Sequence, residues 1–428
     1  MTAPTVIGQA QPVPPGDVNP GRPGARVLTD GTVLIATLDY NTGTVTLRHY
    51  TRDLGTVLAT ATVGGGGDDG LTLAPAPDDA TVMLLAGPST TTILTITTDP
   101  LAITQTGTTP TRRWWETHAA AILHGGRTII GAGRWPSTTG YAVIVIEDGQ
   151  VAASHPVPGV IVGLAPGPTD GTVYASVWGL QPAAPTVYQL DLGTGAVTTV
   201  ATPAQPHDVD YITGGIPTPQ GWVFPAVEDD GALNLRLRDE AGTLLADTEW
   251  PGEATYQDGY PGTAWHPHGT ILTAGVNPFV GDMTGTTSIV AAQVTGPDLA
   301  LTHVAAPVVP YGSILTWSQS PVIAAEGTTA IILWTLGQGF DAANYFGVLA
   351  WTLDLGARDY HGVLHIDTLT HPAWLVGTAD PDMAYRLHVD TGTERLVEIL
   401  AGQDEQATHR LRVCDGTDWP VAAYLRPE

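Results

Sequence analysis

One unit, a turn followed by a β-rich apolar run, recurs seven times along the chain, and no other feature limits the possible folds as strongly. The copies read TDGTVLIATL at Thr32, DDATVMLLAG at Thr81, GGRTIIGAG at Thr128, TDGTVYASV at Thr172, PQGWVFPAV at Trp222, PHGTILTAGV at Thr270 and EGTTAIILW at Thr329. Their spacings of 49, 47, 44, 50, 48 and 59 residues match a four-stranded propeller blade and are too long for a helical repeat. Each anchor is preceded by a short apolar strand, such as Leu71 to Ala74 or Val160 to Ala165. A third strand follows, such as Val45 to Tyr50 or Leu233 to Arg238, and then a Gly/Asp turn of the kind that reverses antiparallel strands. The expectation is an all-β chain, a seven-bladed β-propeller of four-stranded blades over residues 25–369.

A string of β-sandwich domains would also show many short strands with regular turns. It would not repeat one turn and one apolar run seven times. A ring must also close, and because the first blade opens on its inner strand, the missing strand is expected from Pro4 to Ile7 or from Trp374 to Thr378. Residues 1–24, with six Pro and four Gly, read as an extended N-terminal arm without the basic cluster and apolar block of a secretory signal. Residues 370–428 read as a linker and a small β-hairpin module, with hairpins over Ala384 to Leu400 and Thr408 to Leu425.

Composition narrows the partners. All 16 basic residues are Arg and none is Lys, against 42 acids, for a formal charge of −26. Nucleic acid and anionic membrane are therefore poor partners, since both call for clustered cations. No run approaches the length of a membrane span, and the single Cys414 excludes an internal disulfide framework.

In a propeller the loops from strand two to three, and from strand four to the next blade, open on one face. That face is expected to carry long loops from the third blade onward: residues 110–118, 134–140, 178–185, 252–262, 276–285, 308–320 and 336–346. The opposite face has short turns such as PAPDD, HGG, PTPQ and EDGQ. The long loops hold Trp114, Trp115, Trp135, Trp178, Tyr256, Tyr260, Phe279, Trp317 and Tyr345 beside acids such as Glu116. Aromatic rings grouped with carboxylates suit stacking on sugar rings or a protein hot spot; rings packed beneath their own loops are the alternative.

Signs of catalysis are sparse. The repeated Ser-x-Asp-x-Gly-x-x-Trp turn and arginine triad of sialidases are missing, and no Arg falls between Arg134 and Arg236. Carboxylates for a different glycosidase would come from Asp208, Asp210, Glu228, Asp229, Asp230 and Asp258. His266 and His268 flank Pro267 in a short turn on the opposite face, where exposed His is routine, and His361 with His365, on one face of a strand, lacks a third ligand at convincing spacing. Glu228-Asp229-Asp230-Gly231 lacks the alternating oxygen ligands of a calcium loop. The expectation is a chain without cofactor or metal and without an enzymatic role.

The stretch Leu411-Arg412-Val413-Cys414-Asp415-Gly416-Thr417-Asp418-Trp419 resembles the strand, D-G-T-x-W turn and strand that often closes minor tail proteins of bacteriophages infecting actinobacteria. The lysine-free composition and the Pro-rich N-terminal segment agree with it. The resemblance implies a structural virion protein of the tail tip or baseplate, made in the host cytoplasm. Its implied partners are other tail proteins and a host-envelope glycan, and oligomerisation in the tail is open. A carbohydrate-binding or carbohydrate-cleaving propeller, and a cellular scaffold propeller, are the competing readings.

Overall fold

The computed structural model describes residues 4–13, 23–39, 41–64, 71–86, 90–109, 121–132, 141–178, 186–201, 209–211, 215–218, 220–228, 233–239, 241–249, 262–266, 270–277, 286–295, 298–304, 322–326, 328–337, 345–355, 364–368, 385–390, 394–400, 409–413 and 421–426. It divides into two compact units, Met1–Asp359 and Tyr360–Glu428.

The first unit opens with β1 (Thr5–Val13) and continues as successive antiparallel meanders. These are β2 (Gly24–Val27) with β3 (Val33–Asp39), β4 (Thr44–Tyr50) and β5 (Val57–Val63), then β6 (Leu71–Pro75) with β7 (Thr81–Ala86), β8 (Thr91–Thr98) and β9 (Leu101–Thr109). Next come β10 (Ala121–His124), β11 (Arg127–Ala132), β12 (Ala142–Glu147) and β13 (Gln150–Pro156), followed by β14 (Val160–Pro166), β15 (Thr172–Trp178), β16 (Thr186–Asp191) and β17 (Val197–Ala201). The following sheet begins with two short strands, β18 (Val209–Tyr211) and β19 (Ile216–Thr218). They share the inner position along β20 (Gly221–Glu228): Val209 lies opposite Glu228, and Ile216 opposite Val223. That sheet continues through β21 (Leu233–Arg238) and β22 (Leu244–Glu249). Then come β23 (Gly262–His266), β24 (Thr270–Asn277), β25 (Thr286–Thr295) and β26 (Asp298–Val304), and last β27 (Val322–Glu326), β28 (Thr329–Gly337) and β29 (Tyr345–Asp354).

The last sheet takes its outer strand from the other end of the chain. β1 pairs antiparallel with β29, placing Ala10 opposite Ala350 and Thr5 opposite Asp354. Of the two candidate closing segments, the N-terminal one supplies the strand. The stretch expected to be an extended arm therefore contains a sheet strand at Thr5–Val13, while residues 14–22 lie outside the described residues. Consecutive sheets touch one another, and the last touches the first through β27 and β2. This is an all-β propeller built of four-stranded blades.

The packing explains why the anchor runs are so apolar. A second strand is covered on both faces, so alternate residues feed two different cores. Along β3, Leu34, Ala36 and Leu38 join Leu71, Leu73, Met83 and Leu85 of the next sheet. Val33 and Ile35 turn the other way, against Ile331, Leu333, Val348 and Ala350 of the last. The same division recurs at β11, where Ile130 packs with Val82 and Leu84 and Ile129 with Val173 and Ala175. The cores are therefore the layers between blades, and each second strand links two of them. The turns suit their residues too: Gly31 (φ 82°) and Gly195 (φ 73°) take left-handed conformations that a side chain would strain.

The second unit is a five-stranded antiparallel sheet in the order β30-β33-β34-β32-β31. Its strands are β30 (Leu364–Thr368), β31 (Tyr385–Asp390), β32 (Glu394–Leu400), β33 (His409–Val413) and β34 (Val421–Arg426). Both expected hairpins are present, β31 with β32 and β33 with β34. The sequence boundary at 369/370 is corrected, because Leu364 to Thr368 pairs with β33 and belongs to this sheet.

Candidate functional site

Antiparallel order sorts the strand ends into two sets. The gaps containing Trp114, Trp115, Glu116, Trp135, Tyr256, Tyr260, Phe279 and Trp317 all join ends of one set, and these eight residues lie outside the described residues. Two candidates fall on strands. Trp178 ends β15 opposite Val160, and Tyr345 begins β29 opposite Gly337. Both positions belong to the loop-bearing set of ends, on blades far apart in sequence.

The other motifs separate similarly. Glu228 and Asp210 lie on paired strands at the end of β20, whereas Asp208, Asp229, Asp230 and Asp258 fall outside the described residues. His266 closes β23, and His365 lies on β30 opposite Arg412; His268, His361 and Cys414 are outside the described residues. Among the described residues no group of three or more His, Cys, Asp or Glu could hold a metal ion, and no helix is long and apolar enough to cross a membrane.

Polar groups of the described short turns join neighbouring blades. The Arg26 side chain, 8% exposed, reaches Glu326 at 3.3 Å and Asp79 at 3.5 Å. It thus joins the first blade to both of its neighbours. Asp79 also accepts hydrogen bonds from the Thr29 N–H (3.2 Å) and hydroxyl (2.8 Å). Arg52 pairs with Asp354 at 3.0 Å and donates to Thr329 Oγ1 at 2.7 Å. Farther round, the Thr128 hydroxyl donates to Pro75 O (2.7 Å), and buried His124 lies 2.9 Å from Thr169 O through Nε2.

Carboxylates in these hairpins also shape single turns. Asp191 accepts from the N–H groups of Gly193 (2.9 Å) and Thr194 (2.7 Å) and from the Thr194 hydroxyl (2.9 Å). The Thr194 N–H and hydroxyl, aided by Gly193 and His155, hold its carboxyl below the usual carboxylate value. The Thr51 hydroxyl, with the Gly55 N–H, does the same for Asp53. Within the first blade, His49 Nε2 lies 2.8 Å from Thr32 Oγ1, which itself donates to Asp30. Burial lowers the His49 pKa against the opposing pull of Asp30.

A cavity of about 430 Å³ opens on this face between β15 and the turns flanking β20 and β21. Tyr174, Thr218, Gln220, Trp222 and Asp239 line it. The Tyr174 and Trp222 rings meet edge to face, with centroids 4.9 Å apart and planes at 89°. The sequence pattern gives this site one signal: Trp222 occupies the anchor position held by Thr in the other six units.

No protein-family model and no curated protein matches the sequence. Among solved structures, the chain is similar to the Dos1 propeller at 12% identity, over 77% of this chain and 76% of that one, with a TM-score of 0.44. It is similar to U3-55K at 10% identity, over 82% of this chain and 98% of that one, with a TM-score of 0.47. It is also similar to an apocarotenoid oxygenase of Synechocystis at 14% identity, over 58% of this chain and 64% of that one, with a TM-score of 0.38. These likenesses say nothing about activity or ligand, and the propeller rests on the sheet order and the contacts between sheets.

Proposed function

We propose that the chain is a structural, non-enzymatic component of a bacteriophage tail tip or baseplate. In this reading its propeller has seven blades, the fifth being the β18–β22 sheet with its divided inner strand. The propeller acts as a rigid support for the long aromatic loops, which contact a host-surface glycan or another tail protein. The observation that carries the reading is the pairing of β33 with β34, Leu411 opposite Ala423. It brackets the D-G-T-x-W stretch with two strands, in the strand-turn-strand order of the minor tail proteins that the sequence resembles. Two further observations support a scaffold. Polar contacts tie successive blades together on the short-turn face, and the long connections all join the opposite set of strand ends. The C-terminal sheet is the attachment element in this account, docking by packing or strand addition. Mass spectrometry of purified phage particles should detect the chain in stoichiometric amount; particles that assemble without it would sink the proposal.

A further inference from the structure

We propose that the cavity between the fourth and fifth sheets, on the face opposite the long loops, binds an arginine side chain presented by a partner protein. Its lining is rich in acceptors. Gln220 Oε1 is buried and has no hydrogen-bond partner among the described residues. The Thr218 hydroxyl commits its hydrogen to Gly221 O at 3.1 Å, which leaves the Thr218 oxygen available as an acceptor. Asp239 uses Oδ1 to accept the Thr243 N–H at 2.7 Å, and Oδ2 makes no hydrogen bond to a described residue. A buried acceptor without a donor is costly, which favours a ligand that brings N–H groups.

The remaining wall is aromatic, formed by the edge-to-face pair of Tyr174 and Trp222. Carboxylate, amide oxygen and aromatic ring together fit a planar guanidinium, whose five donors fan out in one plane and whose weak hydration allows it to lie against a ring. Nearby cations are already engaged: Arg238 donates to Gly242 O at 2.8 Å and Arg236 pairs with Asp247 at 2.9 Å, and neither lines the cavity. The overall charge of −26 draws a cationic partner toward this surface. A sugar fits less well, because each of its hydroxyls needs a donor as often as an acceptor.

The test uses the full chain, N-acetyl-arginine methylamide as probe and its neutral citrulline analogue as control, read by NMR at the Trp222 indole N–H. Trp222→Phe assigns that resonance. The arginine probe should shift it saturably and the citrulline probe should not. Asp239→Asn keeps the acceptor that caps the turn and removes the charge, so the chain stays folded while affinity falls about tenfold or more. Asp191→Asn, which removes the same charge from a different hairpin, should leave affinity unchanged. No shift, equal shifts with both probes, equal losses in both variants, or a shift with a methyl glycoside in place of the arginine probe would each overturn the proposal.

Discussion

The position of β1 makes a prediction whose sign is as informative as its size. Gly8 lies in the middle of that strand, against the turn that holds Asp53. A Cβ at Gly8 would sit 2.1 Å from Asp53 O, 2.4 Å from Asp53 C and 2.7 Å from Thr352 Oγ1. Two of those three atoms are backbone and cannot rotate away. Gly8→Ala therefore requires β1 to move off the sheet or the Asp53 turn to open, and overpacking of this kind costs about 1–3 kcal/mol. If residues 5–13 were instead a solvated arm, the same substitution would be close to neutral, because such an arm is as free in the native state as in the unfolded chain and the backbone entropy that Ala removes cancels between them. The neighbour Gln9, exposed on the same strand, is the control: Gln9→Ala should stay within about 0.5 kcal/mol of wild type. Urea unfolding followed by tryptophan fluorescence reads the difference as a lower midpoint at unchanged slope. A Gly8→Ala midpoint equal to or above wild type would refute this placement of the strand.

Three further outcomes follow from the same structure. Leu34→Ala, at a fully buried position in the layer between the first two blades, should cost about 2–5 kcal/mol, whereas Val57→Ala at a 47% exposed position should stay within about 0.5 kcal/mol; equal effects in urea unfolding would contradict the inter-blade cores. Arg26→Met removes the cation between Glu326 and Asp79, and because both acids are partly exposed (24% and 31%) the loss should fall below the roughly 3–5 kcal/mol of a fully buried pair; adding Glu326→Gln to the same chain should recover part of it. His49 has its pKa lowered by burial, so the unfolded chain binds the proton first as pH falls, and the stability it contributes is complete above about 6.5 and declines as pH drops through the lower folded value; His49→Gln should flatten that part of the stability curve, and an unchanged curve would rule out this assignment.

The repeat was legible because the second strand of each blade is buried on both faces, which turns stretches such as Val33–Ala36 and Val82–Leu85 into unbroken apolar runs. The two C-terminal hairpins were legible from alternation, as at Tyr385, Leu387 and Val389 opposite β32. The choice of closing strand was not, since Pro4–Ile7 and Trp374–Thr378 are both short apolar segments and sequence holds nothing about which lies beside β29. The place of β30 in the C-terminal sheet was not legible either, because its partner β33 lies some forty residues later. The Arg26 contacts were not legible for the same reason, Glu326 being 300 residues away. The cavity beside Tyr174 and Trp222 leaves little mark on the sequence, because its residues sit in strands and short turns; the Trp at an otherwise Thr position is its one signal.

The chain closes into a propeller by laying its N-terminal strand along β29, with Ala10 opposite Ala350. Directly opposed residues of an antiparallel pair have Cα atoms about 4.5–5.5 Å apart, within the span a disulfide bridges. In a chain carrying Cys414→Ser, Ala10→Cys together with Ala350→Cys should therefore oxidise to an intramolecular disulfide, found by mass spectrometry of the cleaved peptides, while Thr5→Cys with Ala350→Cys should not, since Thr5 lies opposite Asp354 on the same ladder. Failure of Ala10→Cys and Ala350→Cys to link, or linking no faster than the out-of-register pair, would contradict this closure.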